Sequence, residues 1–434
     1  MKNKFIKSTI ILLIGGGLTK ILGMFIKIIT TRLVGTEGIG IYMLIMPTFS
    51  LFITLASLGF PISISKLVSE DKHNNKKLVL SLIPLIIIFN LFLMIIIFLI
   101  APTLSTTLLK DNRTYLPIIS IGLVIPFISI SSILRGYFFG KEKMFPHTIS
   151  NISEQIIRLL ILLIITPILL KKGITYAVAG IVLVNIMSEI TSIGIMCFFL
   201  PKKFTIKKEY FIPQKSQITQ ILDISLPTVG SRLLGNIAYF FEPIILTFVL
   251  LKVGYDSNFI ITEYGVLTGY VIPLLLIPTF FTGAISQALL PILSNNFAKK
   301  NILTVKKALA KAIIISIITG LIINTTIFMN PSFFLKTIFN TSLGSNYIKI
   351  MSPFFLLLYI QAPLTTALHA TNKAKFSCLA TLIGVSIKLL IIFSFSYLKI
   401  GVTSLIIGNI ISIFITTILD IYVVKKVLKQ TTTS

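Results

Sequence analysis

Charge is scarce in this sequence, and acidic charge is scarcest. Of 434 residues only 12% are charged, with 13 Asp and Glu against 39 Lys and Arg. A soluble chain of this length needs far more polar residues to cover its surface, so a water-soluble globular protein is excluded. Cysteine is limited to Cys197 and Cys378, both in apolar helix-like segments. That excludes a disulfide framework and a redox pair, and leaves both as packing residues. The three histidines, His73, His147 and His369, are scattered, and no metal-ligand spacing occurs. There is no G-x-x-x-x-G-K-S/T phosphate loop and no nucleophile–base constellation. No enzyme activity, cofactor or metal is therefore expected.

What is abundant is hydrocarbon, at 55% of residues and in long blocks. The stretch 79–101 carries no charge, and it is long enough to cross ~30 Å of lipid at 1.5 Å per residue. The basic start Met1 to Lys7 and the apolar 9–18 imitate a signal peptide, but no small-residue cleavage site follows and Lys20 and Lys27 interrupt the run. The segment reads as a retained first helix. Twelve spans follow from the pattern: 8–32, 38–66, 77–101, 116–139, 145–170, 175–200, 220–251, 264–294, 305–330, 347–370, 376–398 and 402–428. Backbone polar groups in lipid must pair internally, so each is expected to be a helix. The fold class is an all-α polytopic membrane protein.

With the N-terminus inside, the inside segments hold 24 of the 39 Lys and Arg and the outside segments 9. This bias places both termini in the cytoplasm. It also assigns the net charge of +26 to contact with anionic membrane lipid, so no nucleic-acid partner is needed. The longest hydrophilic stretch, 201–216, divides the chain into six-helix bundles at 1–205 and 206–434.

The halves echo one another. Thr19-Lys20-Ile21-Leu22-Gly23 matches Ser231-Arg232-Leu233-Leu234-Gly235, Glu37 and Pro47 match Glu263 and Pro273, and Lys143 and Arg158 match Lys373 and Lys388. Corresponding helices share an orientation, which predicts a parallel, pseudo-two-fold repeat around a central cavity, the plan of a transporter. Prolines cluster in spans two, seven, eight and ten, at Pro47, Pro61, Pro227, Pro243, Pro273, Pro278, Pro353 and Pro363. They read either as packing kinks or as places that bend during transport.

Charges inside the spans carry the most chemistry, because a cation at mid-membrane costs ~2.5–3.5 kcal/mol on insertion scales and seeks protein or water. They are Lys20, Lys27, Arg135, Arg158, Arg232 and Lys388, against the acids Glu154, Glu189 and Glu242, a sum of +3, with Asp223 near the start of span seven. Arg135, near a span end, is expected to snorkel. Lys20 and Lys27 are two turns apart on one face, beside Gly16 and Gly23, while Arg232, Asn236 and Tyr239 form a stripe on span seven. Lys20, Lys27, Arg158, Arg232, Lys388, Asn236 and Tyr239 are the candidate substrate-binding residues, and the basic sum suits an anionic substrate. Glu154, Glu189 and Glu242 read either as sites for a coupling Na+ or H+ or as members of structural pairs, Glu154 and Glu189 with Arg158. Lys20, Lys27, Arg232 and Lys388 have no acid within a turn of their own helices, so they are expected to line the cavity.

Phe5-Ile6-Lys7-Ser8-Thr9, Leu18-Thr19-Lys20-Ile21-Leu22-Gly23, Glu37-Gly38-Ile39-Gly40-Ile41-Tyr42, Leu58-Gly59-Phe60-Pro61, Arg135-Gly136-Tyr137-Phe138 and Glu154-Gln155-Ile156-Ile157-Arg158 resemble the stage V sporulation protein B family. That family lies within the multidrug/oligosaccharidyl-lipid/polysaccharide exporter superfamily. The resemblance covers nearly the whole chain. It implies a MATE-like exporter fold in the bacterial inner membrane and a flippase for saccharides linked to undecaprenyl pyrophosphate, such as peptidoglycan precursors, with a link to sporulation and to cell-wall synthesis enzymes. Relatives of this type often have fourteen spans, whereas this chain shows twelve. Two other readings stand beside it. A cation-coupled multidrug exporter calls for an acid-rich cavity, and a non-transporting scaffold for wall synthesis needs its loops rather than its buried charges.

Overall fold

The structure, a computed structural model, describes residues 2–70, 75–201, 208–211 and 215–430. Among the described residues every regular element is helical. The first helices are α1 (Lys2–Ser57), α2 (Phe60–Glu70), α3 (Asn75–Thr103), α4 (Tyr115–Gly140), α5 (Met144–Leu170) and α6 (Ile174–Phe198). Then come α7 (Lys215–Val253), α8 (Ser257–Gly265), α9 (Ile272–Leu275) and α10 (Pro278–Ala298). The last are α11 (Ile302–Met329), α12 (Pro331–Phe339), α13 (Ser345–Ala370), α14 (Ala374–Ser396) and α15 (Thr403–Gln430).

Eleven described segments are long and apolar enough to cross a membrane, and one of them, Ile14–Glu70, has 57 residues. At 1.5 Å per residue that is ~85 Å, almost three bilayer cores, so it contains two crossings. The backbone breaks where glycine permits positive φ, at Gly35 (φ 66°) and Gly59 (φ 67°). Twelve crossings result. The eighth is assembled from pieces: α8, a π-helical stretch Val266–Val271, α9 and α10, with Pro273 and Pro278 at the starts of the last two.

Large apolar side chains lie on the outside. On α3, Ile88, Leu91, Phe92, Ile95 and Leu99 are exposed, and on α11 Ile314, Ile318, Leu321 and Ile322 are. Each set recurs at helical spacing, making an apolar face that only lipid solvates well. The chain is a multi-pass membrane protein.

Two compact units form, Met1–Phe240 and Phe241–Ser434. The first half of α7, which the sequence assigns to 206–434, packs with the first unit. Ile221 joins the core built by Phe60, Ile64, Leu82, Phe138 and Met196. Ser63 Oγ and Ser225 Oγ are 2.7 Å apart, and a Cβ at Gly59 would lie 2.6 Å from Val229 Cγ2. The second unit has its own core, including Leu293, Val305, Leu309, Leu364, Leu368 and Val424.

The units repeat local detail. Helices α4 and α13 end in a residue with left-handed φ, Glu142 (54°) and Asn372 (58°). The next amide bonds back in both turns, Lys143 N to Phe138 O at 2.9 Å and Lys373 N to Leu368 O at 2.7 Å. This is one helix-ending motif used twice with residue numbers differing by 230 throughout. The third and fourth crossings of each unit are also joined by a buried Asn–Ser bond. Ser129 Oγ donates to Asn90 Oδ1 (3.1 Å) in one, and Ser352 Oγ donates to Asn324 Oδ1 (2.8 Å) in the other.

Candidate functional site

Three polar groupings lie at membrane depth in the described residues. The first pins α4, α5 and α6 of the first unit. Glu154 and Arg158 are one turn apart on α5, and Arg158 Nη2 donates to Glu154 Oε1 at 2.6 Å. Arg135 of α4 reaches the same carboxylate, with Nη2 2.7 Å from Glu154 Oε2 and 3.2 Å from Glu189 Oε2 of α6. Ser188 Oγ accepts from Arg158 Nη2 at 3.2 Å. Two guanidiniums and two carboxylates sum to zero, with Glu154 5% and Glu189 4% exposed. Arg135 therefore does not snorkel. Its planar fork is better satisfied by two buried carboxylates on neighbouring helices than by an interface. Glu189 takes Arg135, not Arg158, as its partner.

The second grouping lies in the second unit. Lys388 Nζ of α14 is ion-paired with Glu242 Oε2 of α7, and Tyr264 Oη donates to Glu242 Oε1 at 3.3 Å. Lys388 has no acid within a turn of its own helix, and this partner, supplied by another helix, is invisible to spacing along its own.

The third grouping surrounds Lys20. A cavity of about 210 Å³ between α1 and α5 is lined by Gly15, Gly16, Thr19, Lys20, His147, Thr148 and Asn151. Gly15 lets the helices meet, since a Cβ there would fall 2.0 Å from Thr148 Cγ2. Gly16, Gly17 and Gly23 have open space where a side chain would be. The Gly15-Gly16-Gly17 run thus holds one close-packing position and two that leave room. Asn151 Nδ2 and His147 Nε2 are 3.2 Å apart, while His147 Nδ1 and Asn151 Oδ1 are buried without a hydrogen-bond partner. Lys20 is exposed and makes no ion pair among the described residues. Lys27, two turns on, is half-buried.

On α7, Arg232 is exposed and is likewise without an ion pair among the described residues. Asn236, one turn later, is engaged by α1. It donates to Thr54 Oγ1 at 2.6 Å, and Ser50 Oγ lies 3.0 Å from its Oδ1. This residue of the expected substrate stripe ties α7 to α1. Tyr239 is half-buried, and Asp223 is exposed near the start of α7.

Two features escaped the sequence reading. His147, Asn151, Glu154 and Arg158 form one polar stripe along α5 at i, i+4, i+7 and i+11, a helical spacing that puts all four on one face. Asp420, inside the last span, is 1% exposed and neither of its oxygens has a hydrogen-bond partner. Counting it lowers the in-membrane sum. Lying close to Lys425 and Lys426, it reads along the sequence as part of a charged helix end. Among the described residues no group of His, Cys, Asp and Glu is arranged to hold a metal. The loop 201–216 lies largely outside the described residues.

Comparisons with known proteins bear on this geometry. Residues 5–297 match the family model described as polysaccharide biosynthesis protein, and residues 234–395 match the one described as MatE. The chain is 36% identical over 402 residues to stage V sporulation protein B of Bacillus subtilis (strain 168), covering 90% of this chain and 78% of that one. It is 23% identical over 432 residues to the lipid II flippase MurJ of the same organism, covering 90% and 77%. Among solved structures, an inward-facing multidrug resistance MATE family transporter of the MOP superfamily superposes with a TM-score of 0.75 at 14% identity, covering 96% of each chain. An outward-facing one gives 0.62 at 16% identity, covering 100% and 97%. These two share its fold.

Proposed function

The chain belongs to the polysaccharide biosynthesis protein family, and from that premise we propose that it is a flippase carrying a lipid-linked saccharide across the bacterial plasma membrane. Its relatives are transporter or flippase families. The proposed cargo is a saccharide on undecaprenyl pyrophosphate, taken up at the cytoplasmic leaflet and released at the outer one, with both termini in the cytoplasm. The wall precursor of sporulating or growing cells is the proposed glycan class.

One observation carries this reading: neutralisation is selective. Glu154 and Glu189 are spent on Arg135 and Arg158, and Glu242 is spent on Lys388. Lys20 and Arg232 are exposed and hold no carboxylate among the described residues. A cation left uncompensated against hydrocarbon is costly, so both face water or a ligand of opposite charge. Arg232 offers a planar fork for a pyrophosphate and Lys20 a mobile point charge. Open space beside Gly16, Gly17 and Gly23 leaves room for a headgroup next to Lys20. The polyprenyl tail stays in lipid, so only the headgroup needs a polar route.

Arg158 and Lys388 now serve best as structural partners. Lys27, Asn236 and Tyr239 remain proposed neighbours of the headgroup path. The test is charge reversal. Lys20→Glu or Arg232→Glu abolishes flipping in proteoliposomes while insertion and folding persist, and normal flipping by either variant would refute the assignment.

The match of residues 234–395 to the MatE model favours a second reading, export of cationic drugs driven by Na+ or H+. An efflux assay in a drug-sensitised host separates the two, because the basic residues of the first unit would repel such cargo.

A further inference from the structure

Among the described residues four acids are buried at membrane depth, and three of them have a cation while one does not. Glu154 has Arg135 and Arg158, Glu189 has Arg135, and Glu242 has Lys388. Asp420 of α15 is the most buried of the four, at 1% exposure, and both oxygens lack a hydrogen-bond partner. The helices packed against α15 are α13 and α14, and neither supplies a counter-charge. Their charged side chains are Lys349 and His369 on α13 and Lys375 and Lys388 on α14, with Lys425, Lys426 and Lys429 on α15 itself. Lys388 is engaged by Glu242, and none of the others forms an ion pair with Asp420 in the described structure. The polar neighbours are hydroxyls. Among the described residues Ser377 of α14 is the one hydroxyl that lies against Asp420, and Thr416, one turn earlier on α15, points its hydroxyl to Ala380 O of α14 at 3.5 Å.

An ionised carboxylate cannot rest there. Its solvation would be lost with no cation and at most the Ser377 hydroxyl to replace it, and a group so placed takes up a proton instead. The surroundings also offer a way out. The α14–α15 seam is built from small residues: a Cβ at Gly384 would lie 2.4 Å from Thr416 Oγ1, and one at Gly408 would lie 3.2 Å from Lys388 O. Such close, weakly interlocked contacts let one helix slide or part from the other. Asp420 sits beside Ser377, ~16 Å along α14 from the Lys388 pair at 1.5 Å per residue, so the two charge sites are separate.

We propose that Asp420 is a proton-binding site of the second unit, neutral while α14 and α15 are packed together and exchanging its proton with water when they part. Only the O–H bond of the carboxyl is made or broken, with water as donor and acceptor. A carboxyl whose protonation depends on helix packing gives the transporter a site on which a proton gradient can act.

The test uses the full chain in lipid nanodiscs and needs no saccharide, so it fails independently of the flippase reading. Infrared difference spectra of wild type at neutral pH are expected to contain the carbonyl stretch of a protonated carboxyl, and Asp420→Asn to lack it. Wild-type thermal stability is expected to slope with pH through this group. That slope flattens in Asp420→Asn, whose amide preserves the shape. A wild-type spectrum without the band, or a band that survives in Asp420→Asn, overturns the proposal. So does stabilisation of wild type, but not of Asp420→Asn, by sodium chloride over choline chloride, which would make the occupant a metal cation.

Discussion

An ionised carboxylate at membrane depth must be compensated, and in this protein most of the compensation comes from other helices. Arg135, Glu154 and Glu189 sit on α4, α5 and α6, and Lys388 and Glu242 sit on α14 and α7. Breaking one side of such a pair strands the other charge, at a cost of about 3–5 kcal/mol, whereas replacing both sides with apolar residues of similar size is close to neutral. Glu242→Leu is therefore expected to lower the thermal unfolding midpoint in detergent markedly, and Glu242→Leu with Lys388→Met to recover most of the loss. An unchanged midpoint in the single variant would show that the pair contributes nothing. The sequence revealed the charges and their depth, but not who meets whom. Only the Glu154–Arg158 pair, four residues apart on one helix, was legible, because only there does spacing fix proximity.

Glycine seams decide how the elements meet. Gly136 and Gly140 lie one turn apart on α4, facing α2. A Cβ at Gly136 would lie 3.1 Å from the Pro61 backbone, and one at Gly140 would lie 2.6 Å from Val68 Cβ and 2.7 Å from Ser65 O. Backbone atoms cannot swing aside, so Gly140→Val is expected to destabilise the first unit by about 1–3 kcal/mol through overpacking. Gly16→Ala, with open space at its Cβ, is expected to leave stability unchanged. Thermal unfolding of the two variants side by side checks the contrast. The Arg135-Gly136-Tyr137-Phe138 string was visible as a family motif, but its meaning as a close α2–α4 contact required the fold. The α5 stripe from His147 to Arg158 was legible in principle. Its Glu154–Arg158 end reads as an i, i+4 pair, whereas His147 and Asn151, taken alone, look like ordinary interruptions of an apolar helix.

At the scale of the molecule, most of the architecture could be read from hydropathy and charge. Twelve crossings and the helical content follow from patterns that lipid enforces strictly, and the duplication from matched residues such as Lys143 and Arg158 with Lys373 and Lys388. The exceptions have local causes. Segment α1 spans the first crossing and the next because the backbone leaves helical geometry only at the single residue Gly35 before the helix resumes, and the compact units divide inside α7 because Ile221, Ser225 and Asn236 bind its first half to the first unit. The lysine bias predicts that single cysteines placed in the Lys299–Asn301 turn react with a membrane-impermeant thiol reagent only from the cytoplasmic side, and that cysteines at the Lys171–Gly173 turn react only from outside. Labelling of the opposite sense would invert the proposed direction of transport.

The central claim is that exposed, uncompensated cations of the first unit receive an anionic headgroup. Its most direct measurement is flipping of a fluorescent undecaprenyl-pyrophosphate saccharide in proteoliposomes, compared among wild type, Lys20→Arg, Lys20→Glu and Arg232→Glu. The account predicts that wild type and Lys20→Arg move the lipid, and that each reversal loses about tenfold or more in rate, equivalent to at least ~1.4 kcal/mol of lost stabilisation. A wild-type rate in either reversal would contradict it.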